Sequence, residues 1–252
     1  AAETQQLMQQ LTSELNTLTP ERVWQETAKA LSEQTPQAYF QLLYDAGALA
    51  ALMPELAALW GVPQPEKWHP EIDTGVHMLM VLQQVALLSP RVDIRFAALV
   101  HDLGKGVTDP LLWPSHHGHE HTGLPLINQL CDRLRVPNDC RDLALLVSDL
   151  HTHIHIAFEL KPATLLKVFD KADAWRRPER FAQLLDACRA ELAEVSEIKV
   201  EQQTELAGLR RENELLQQER QIAREAAQSW NQQRERNEAE LRRLTAECAA
   251  LA

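Results

Sequence analysis

An adjacent histidine and aspartate, His101 and Asp102, are the residues of this chain best suited to chemistry. They open the run HDLGK at 101–105, and eight of the ten histidines fall between His101 and His155. Imidazole and carboxylate side by side can bind one metal ion, and zinc, manganese, nickel and iron accept both ligand types. The alternative, chance proximity of a core histidine and a capping aspartate, would be favoured for an isolated pair. The neighbouring histidines favour a metal site.

A second candidate ligand is His77, which shares a predicted helical face with Val81 and Leu88. That face points toward packing rather than water. A buried imidazole needs a partner, and a metal ion is one such partner.

A third candidate is Asp173, four residues after Phe169 on a predicted amphipathic helix. Residues four apart lie on one helical face, and a carboxylate on an apolar face must be paired, hydrogen-bonded or coordinated. The alternative is a helix-end salt bridge of Asp173 with Lys171 or Arg177.

Together these candidates would come from three helices, the arrangement by which helical bundles build inward-facing metal sites. Their order, H…HD…D, resembles that of the HD superfamily of metal-dependent phosphohydrolases. Longer strings are similar to the C-terminal half of CCA-adding enzymes, the tRNA nucleotidyltransferases. These strings are PERVW at 20–24, WHPEIDTG at 68–75, HDLGKG at 101–106, HHGH at 116–119, LRVPN at 134–138 and DAWR at 173–176.

The resemblance implies a set of metal ligands, namely His77, His101, Asp102 and Asp173. A bound divalent ion would lower the pKa of a water molecule and polarise a phosphoryl oxygen. Asp102 would orient that water or bridge a second ion, and Lys105 would bring a positive charge to the phosphate. Nickel, manganese, magnesium, zinc, iron and cobalt are not distinguished.

Four further residues are candidates for a second metal or for gripping the phosphate. His119 matches the H-E-x-x-G element of many HD proteins, and His151 and His155 are four residues apart and so face one side of a helix. Arg176, following Asp173, is the fourth and the weakest candidate.

The function implied by the resemblance is a metal-dependent phosphohydrolase acting on 2′,3′-cyclic nucleotides, 2′-nucleotides or simple phosphoesters. One alternative is a non-catalytic HD-fold binding or oligomerisation module. Another is a part of a split CCA-adding enzyme that contacts the tRNA 3′ end. The Gly-Gly or Gly-Ser motif and the D-x-D pair of the family's nucleotidyltransferase head do not occur in this sequence. We therefore do not expect the chain to add CCA by itself.

The elements that position these residues are predicted to be helices. Eight glycines are few for 252 residues, no stretch alternates with period two, and Leu, Ala, Glu, Gln and Arg dominate long runs. We expect an all-α protein with a small helical neck or body segment at 1–68, an HD-domain helical bundle at 69–192 and a long helix at 193–252. Thr19 followed by Pro20 is typical of a helix start.

The last segment carries heptads from Leu206 onward, with Asn213 at an a position, which favours a parallel dimer. Arg220, Arg234 and Asn237 on the same seam weaken the pattern. The sequence predicts a coiled-coil homodimer, with a single solvated helix or a segment disordered in isolation as the alternative.

Charge and composition restrict the partners. A net charge of −11 is poorly suited to a general nucleic-acid surface, although it leaves room for a local basic pocket. No window of about 18 apolar residues predicts a membrane span. The four cysteines form no C-x-x-C pair, and reduced thiols in a cytoplasmic protein are the simplest expectation.

Overall fold

The computed structural model describes residues 12–67, 69 and 71–251. The all-helical fold class predicted from the sequence is confirmed, since the described residues form helices and no named strand. Residues 1–11, together with Trp68 and Pro70 of the WHPEIDTG string, lie outside the described residues. No helix among the described residues is long and apolar enough to span a membrane.

The helices follow one another through short connections. The α-helices are α1 (Pro20–Ser32), α2 (Gln37–Asp45), α3 (Ala48–Leu52), α4 (Pro54–Ala57), α5 (Thr74–Leu88), α6 (Val92–Val100), α7 (His119–Leu134), α8 (Asn138–His155), α9 (Pro162–Lys171) and α10 (Pro178–Leu251). Short 3-10 helices cover Thr12–Thr17, Leu103–Val107, Pro110–Leu112 and Ala157–Glu159.

Helix α1 begins where the sequence predicts. Thr19 precedes it in an extended conformation and Pro20 occupies the first turn, although the Thr19 side chain makes no capping hydrogen bond. The helix buries Trp24, which packs edge-on against Phe96 of α6 with 5.3 Å between ring centroids. The N-terminal helix thus packs directly on the helix that leads into the His-Asp pair.

Helix α6 is the centre of the fold, and each of its residues from Ile94 to Val100 is buried. Its one buried cation is Arg95, whose guanidinium donates to four backbone carbonyls. The acceptors are Leu31 O at 2.6 Å, Glu33 O at 2.7 Å, Ser89 O at 2.7 Å and Ala86 O at 2.9 Å. Because the last carbonyls of a helix have no intrahelical partner, Arg95 satisfies the ends of α1 and α5 together.

Gly104 follows the His-Asp pair and allows a close approach of α7. A Cβ atom at this position would lie 1.9 Å from the carbonyl oxygen of His119. Gly104 is not among the positive-φ glycines of the described chain, which are Gly47, Gly61 and Gly118. The glycine is therefore required by contact between backbones rather than by its own conformation.

The first part of α10 packs on the bundle through one face. Leu184, Ala187, Cys188 and Glu191 on this face are all buried, and their spacing of three and four residues is that of a single helical stripe. By contacts the chain divides into two compact units, 1–198 and 199–252. In the second unit Leu206, Leu209, Leu216, Trp230 and Leu241 are exposed along the helix.

Candidate metal centre

His101 directs a bare ring nitrogen into the core. Its Nδ1 lies 2.7 Å from the carbonyl oxygen of Ala98, and because a carbonyl only accepts, Nδ1 carries the proton of the neutral ring. Nε2 of the neutral ring then carries a lone pair, and this atom has no hydrogen-bond partner in the described structure. Its charged neighbours are two carboxylate oxygens, Asp102 Oδ2 at 3.2 Å and Glu191 Oε2 at 3.5 Å.

His119 and His151 repeat this arrangement from α7 and α8. Their Nδ1 atoms lie 2.9 Å from His116 O and 3.0 Å from Ser148 O, which fixes the proton of each neutral ring on Nδ1. The two Nε2 atoms lie 3.2 Å and 3.6 Å from Asp102 Oδ1. Three acceptor atoms therefore converge, and only a proton or a metal ion can relieve their repulsion.

His77 is fully buried on α5, whose first turn is capped by the Asp73 carboxylate accepting from Val76 N at 3.0 Å. The Nδ1 atom of His77 lies 2.9 Å from Glu71 Oε1, and its Nε2 lies 3.8 Å from Asp102 Oδ2. Burial would raise the pKa of Glu71, but hydrogen bonds from His69 and His77 lower it to about 2. The ionised Glu71 thus orients His77 toward the pair, as carboxylates do behind metal-bound imidazoles.

Two carboxylates are buried at the centre of the site, Asp102 and Glu191. Burial would raise the pKa of Asp102, yet His101 and Lys105 hold it well below its usual range. Burial likewise opposes ionisation of Glu191, and His155, His101 and His151 lower its pKa in the same way. Both groups are anionic and suited to a cation.

Lys105 is bound within the site rather than exposed to solvent. Its Nζ lies 2.7 Å from Asp102 Oδ2 and donates to Gln64 Oε1 at 2.5 Å. Gln64 in turn donates to Glu71 Oε1 at 3.2 Å, so a hydrogen-bonded chain runs behind the histidines from Lys105 to Glu71. Only 6% of Lys105 is exposed.

The described residues contain three groups whose ligand atoms lie within 4.8 Å of one another. They are His101 with Asp102 and His151, His77 with His101 and Glu191, and His69 with Glu71 and His77. Of the residues singled out in the sequence, the structure brings together His77, His101, Asp102, Lys105, His119, His151 and His155.

Asp173 belongs to none of these three ligand groups of the described residues. Helix α9 ends at Lys171, and Asp173 has the left-handed φ of 52°. Because the helix does not continue, the spacing of four from Phe169 no longer places the two side chains on one face. Such a residue ends a helix in the manner usual for glycine or asparagine.

The Asp173 carboxylate is instead paired with the arginines that follow it. Its Oδ1 accepts from Arg176 Nε at 2.7 Å, and its Oδ2 lies 3.6 Å from Arg177 Nε. This is the helix-end salt bridge that was the alternative for this residue. The Arg176 side chain is 83% exposed, and its described ion pair is with Asp173.

Glu191 and Glu71 were not singled out in the sequence. A signal for Glu191 was available, since it follows Leu184 by seven residues and Cys188 by three on an apolar stripe. The Oε2 atom of Glu191 lies 3.2 Å from His155 Nε2, so His155 reaches the site through this carboxylate. Glu71 lies in an irregular segment, where periodicity gives no signal.

Comparison with known proteins finds relatives for most of the chain. Residues 74–177 match the HD domain, and residues 1–59 match the family described as "Probable RNA and SrmB- binding site of polymerase A". The "Multifunctional CCA protein" of Pseudoalteromonas atlantica is 60% identical over 193 residues, which are 76% of this chain and 48% of the relative. The protein of the same name from Shewanella frigidimarina is 59% identical over 194 residues, 76% of this chain and 47% of the relative. The chain spans about half the length of these curated relatives.

Residues 74–177 thus match the HD domain, and the chain closely resembles the C-terminal HD region of multifunctional CCA proteins. HD domains bind divalent metals. The bare imidazole nitrogens and buried carboxylates described above suit such an ion.

Proposed function

We propose that this chain is a metal-dependent phosphohydrolase that acts on phosphoester bonds of 2′,3′-cyclic nucleotides, 2′-nucleotides or related compounds. The observation that carries the proposal is the convergence of ring nitrogens from His77, His101, His119 and His151 on the carboxylate of Asp102. The rings of His101, His119 and His151 are held at Nδ1 by a backbone carbonyl, which leaves Nε2 for a metal, and His77 is held at Nδ1 by the carboxylate of Glu71.

Asp102 is the residue on which the chemistry would depend. Its Oδ2 faces His77 and His101, and its Oδ1 faces His119 and His151. A carboxylate with ligands on both sides can bridge two cations. When bound, such ions lower the pKa of a water molecule and polarise a phosphoryl oxygen.

Lys105 has a different part in the proposal from the one expected at first. Because its ammonium group is held between Asp102 and Gln64, we assign it to fixing the Asp102 carboxylate and supplying a positive charge beside it. His155 contributes through Glu191 rather than at Asp102.

The test is hydrolysis of 2′,3′-cyclic AMP by the full chain supplemented in turn with Ni²⁺, Mn²⁺, Mg²⁺, Zn²⁺, Fe²⁺ and Co²⁺. Asp102→Asn keeps the shape of the side chain but removes its charge, and we expect it to abolish turnover without loss of the circular-dichroism helix signal. Asp132→Asn, at a carboxylate 70% exposed on α7, is the matched control and should be as active as the wild type. Full activity of the Asp102→Asn protein would exclude the proposed site.

A second proposed function is contact with the tRNA 3′ end. It is favoured by the match of residues 1–59 to an RNA-binding family and by the likeness to CCA proteins. Fluorescence anisotropy with a tRNA acceptor-stem hairpin tests it. Binding that weakens steeply with added salt is expected, and no binding at low salt would remove this function.

A further inference from the structure

We propose that Glu191 of α10, and not Asp173, supplies the second carboxylate ligand of the metal centre. The inference rests on the proposed metal centre and adds a ligand that the H…HD…D order does not contain. It starts from the position of Glu191, which is 6% exposed on a helical stripe whose other members are Leu184, Ala187 and Cys188. An anion on such a stripe is costly unless it is matched by a cation or coordinated.

The contacts of Glu191 are those of a ligand. Its Oε2 lies 3.5 Å from His101 Nε2 and 3.2 Å from His155 Nε2, and neither ring nitrogen makes a hydrogen bond in the described structure. For His101 the reason is chemical, since its proton is on Nδ1 and the bare Nε2 faces an anion. With the ring neutral, these are two electron-pair donors held close together in the core, and either a proton on His101 Nε2 or a metal ion between the two atoms relieves their repulsion.

A third ring completes the group. His77, His101 and Glu191 offer ligand atoms within 4.8 Å of one another, and all three residues are buried. Two imidazoles and one carboxylate are a ligand set used for zinc and also suited to manganese, iron, cobalt and nickel. Asp102 Oδ2, 3.2 Å from His101 Nε2, would be the second carboxylate oxygen on the same ion.

Asp173 differs from Glu191 in each of these respects. It ends α9 with a left-handed backbone, its carboxylate is satisfied by Arg176 and Arg177, and its side chain is 29% exposed. A carboxylate already paired with two guanidinium groups gains little from a metal ion.

The experiment compares two isosteric neutralisations, Glu191→Gln and Asp173→Asn, in the full chain. Apoprotein is titrated with Mn²⁺ by isothermal calorimetry, and metal retained after Co²⁺ loading and desalting is counted by mass spectrometry. We expect Glu191→Gln to weaken Mn²⁺ binding at least about tenfold, the scale on which even outer-shell groups act. It should also change the visible absorption of bound Co²⁺. Asp173→Asn should bind Mn²⁺ within about twofold of the wild type.

Two outcomes would overturn the proposal. One is wild-type metal affinity in Glu191→Gln, and the other is loss of metal in Asp173→Asn. The Asp102→Asn protein shows whether only the assignment of Glu191 is wrong or the whole proposed metal centre is wrong. If Asp102→Asn loses metal and Glu191→Gln retains it, only the assignment of Glu191 is wrong, whereas retention by both removes the centre itself. Glu191→Asp keeps the carboxylate, so it should bind Mn²⁺ more tightly than Glu191→Gln does. It should also restore part of the visible absorption of bound Co²⁺, which a purely structural role of Glu191 would not predict.

Discussion

The Nε2 atoms of His119 and His151 lie 3.2 Å apart, and each ring has its Nδ1 turned to a backbone carbonyl. Neither neutral ring therefore has a proton to share along that 3.2 Å line. Repulsion between the two lone pairs is relieved either by a proton on one nitrogen or by a metal ion bound to both, and the proton and the metal ion compete for these atoms.

The competition predicts how metal binding depends on pH. Protons and metal ions share the same imidazole nitrogens, so affinity for Mn²⁺ should fall as pH decreases from 8 to 6. Calorimetry in two buffers of different ionisation enthalpy would count the protons released on binding. An affinity independent of pH would show that these nitrogens are not ligands.

Substitution of Gly104 should displace His119. An added Cβ would lie 1.9 Å from His119 O and 2.8 Å from Gly123 N, both of which are backbone atoms of α7. We expect Gly104→Ala to reduce the free energy of unfolding by about 1–3 kcal/mol, the range for overpacking, and to weaken metal binding. Urea denaturation measures the first effect and calorimetry the second.

Gly208 provides the matched control for this substitution. It lies in α10 with open space around its Cα, so a Cβ meets no atom within 4 Å. Gly208→Ala should leave metal binding unchanged and stabilise the helix by up to about 1 kcal/mol. Equal behaviour of the two variants would contradict the close approach described for Gly104.

Removal of the Arg95 guanidinium should destabilise the first unit. Arg95→Met leaves four carbonyl acceptors at the ends of α1 and α5 without their donor, and the hydrogen bonds to two of them, Leu31 O and Ser89 O, are buried. Because an unsatisfied buried group costs about 1–3 kcal/mol, we expect a loss of roughly 3 kcal/mol or more of unfolding free energy. Arg91→Met, which removes an exposed guanidinium paired with Asp93, should change the melting temperature little. Equal melting temperatures of the two variants would show that the hydrogen bonds of Arg95 do not stabilise the fold.

The tail is predicted to pair chains through its heptads. Deletion of 199–252 should convert a dimer into a monomer by multi-angle light scattering, since the exposed apolar residues of that unit would no longer be present to pack. Metal binding should persist, because every proposed ligand lies in 1–198. An unchanged oligomeric state would show that the heptads do not associate. In a parallel dimer in register, the two Cys248 side chains should meet and crosslink under oxidant; the side chain of Cys248 lies outside the described residues.

Much of the site follows from helical periodicity. His77 and the His-Asp pair lie on or beside helices α5 and α6, and the apolar pattern of these helices continues through them. The sequence therefore predicts that these side chains point into the core. The position of the Asp173 side chain could not be predicted in this way. Helix α9 ends at Lys171, two residues before Asp173, whose backbone is left-handed, and no glycine or proline at 172–174 marks the end of the helix.

Glu191 was not predicted from the sequence, although its side chain lies in the site. The physical argument that suggested Asp173, an acid on an apolar face, applies to Glu191 with more force, because Leu184 and Cys188 flank it on a helix that does continue. The exact partners of Glu191 depend on how α10 packs on the bundle, and long-range packing of this kind is not encoded in any local spacing.

Cys188 lies one turn before Glu191 on the buried stripe and is a free thiol. Burial, with a smaller contribution from the Glu191 charge, raises the pKa of this thiol well above its usual range. A sulfur atom that is both protonated and covered reacts with an alkylating reagent only when α10 lifts from the bundle. The labelling rate of Cys188 therefore reports how often this buried stripe of α10 becomes exposed to solvent, and a metal ion bound to Glu191 would slow the labelling.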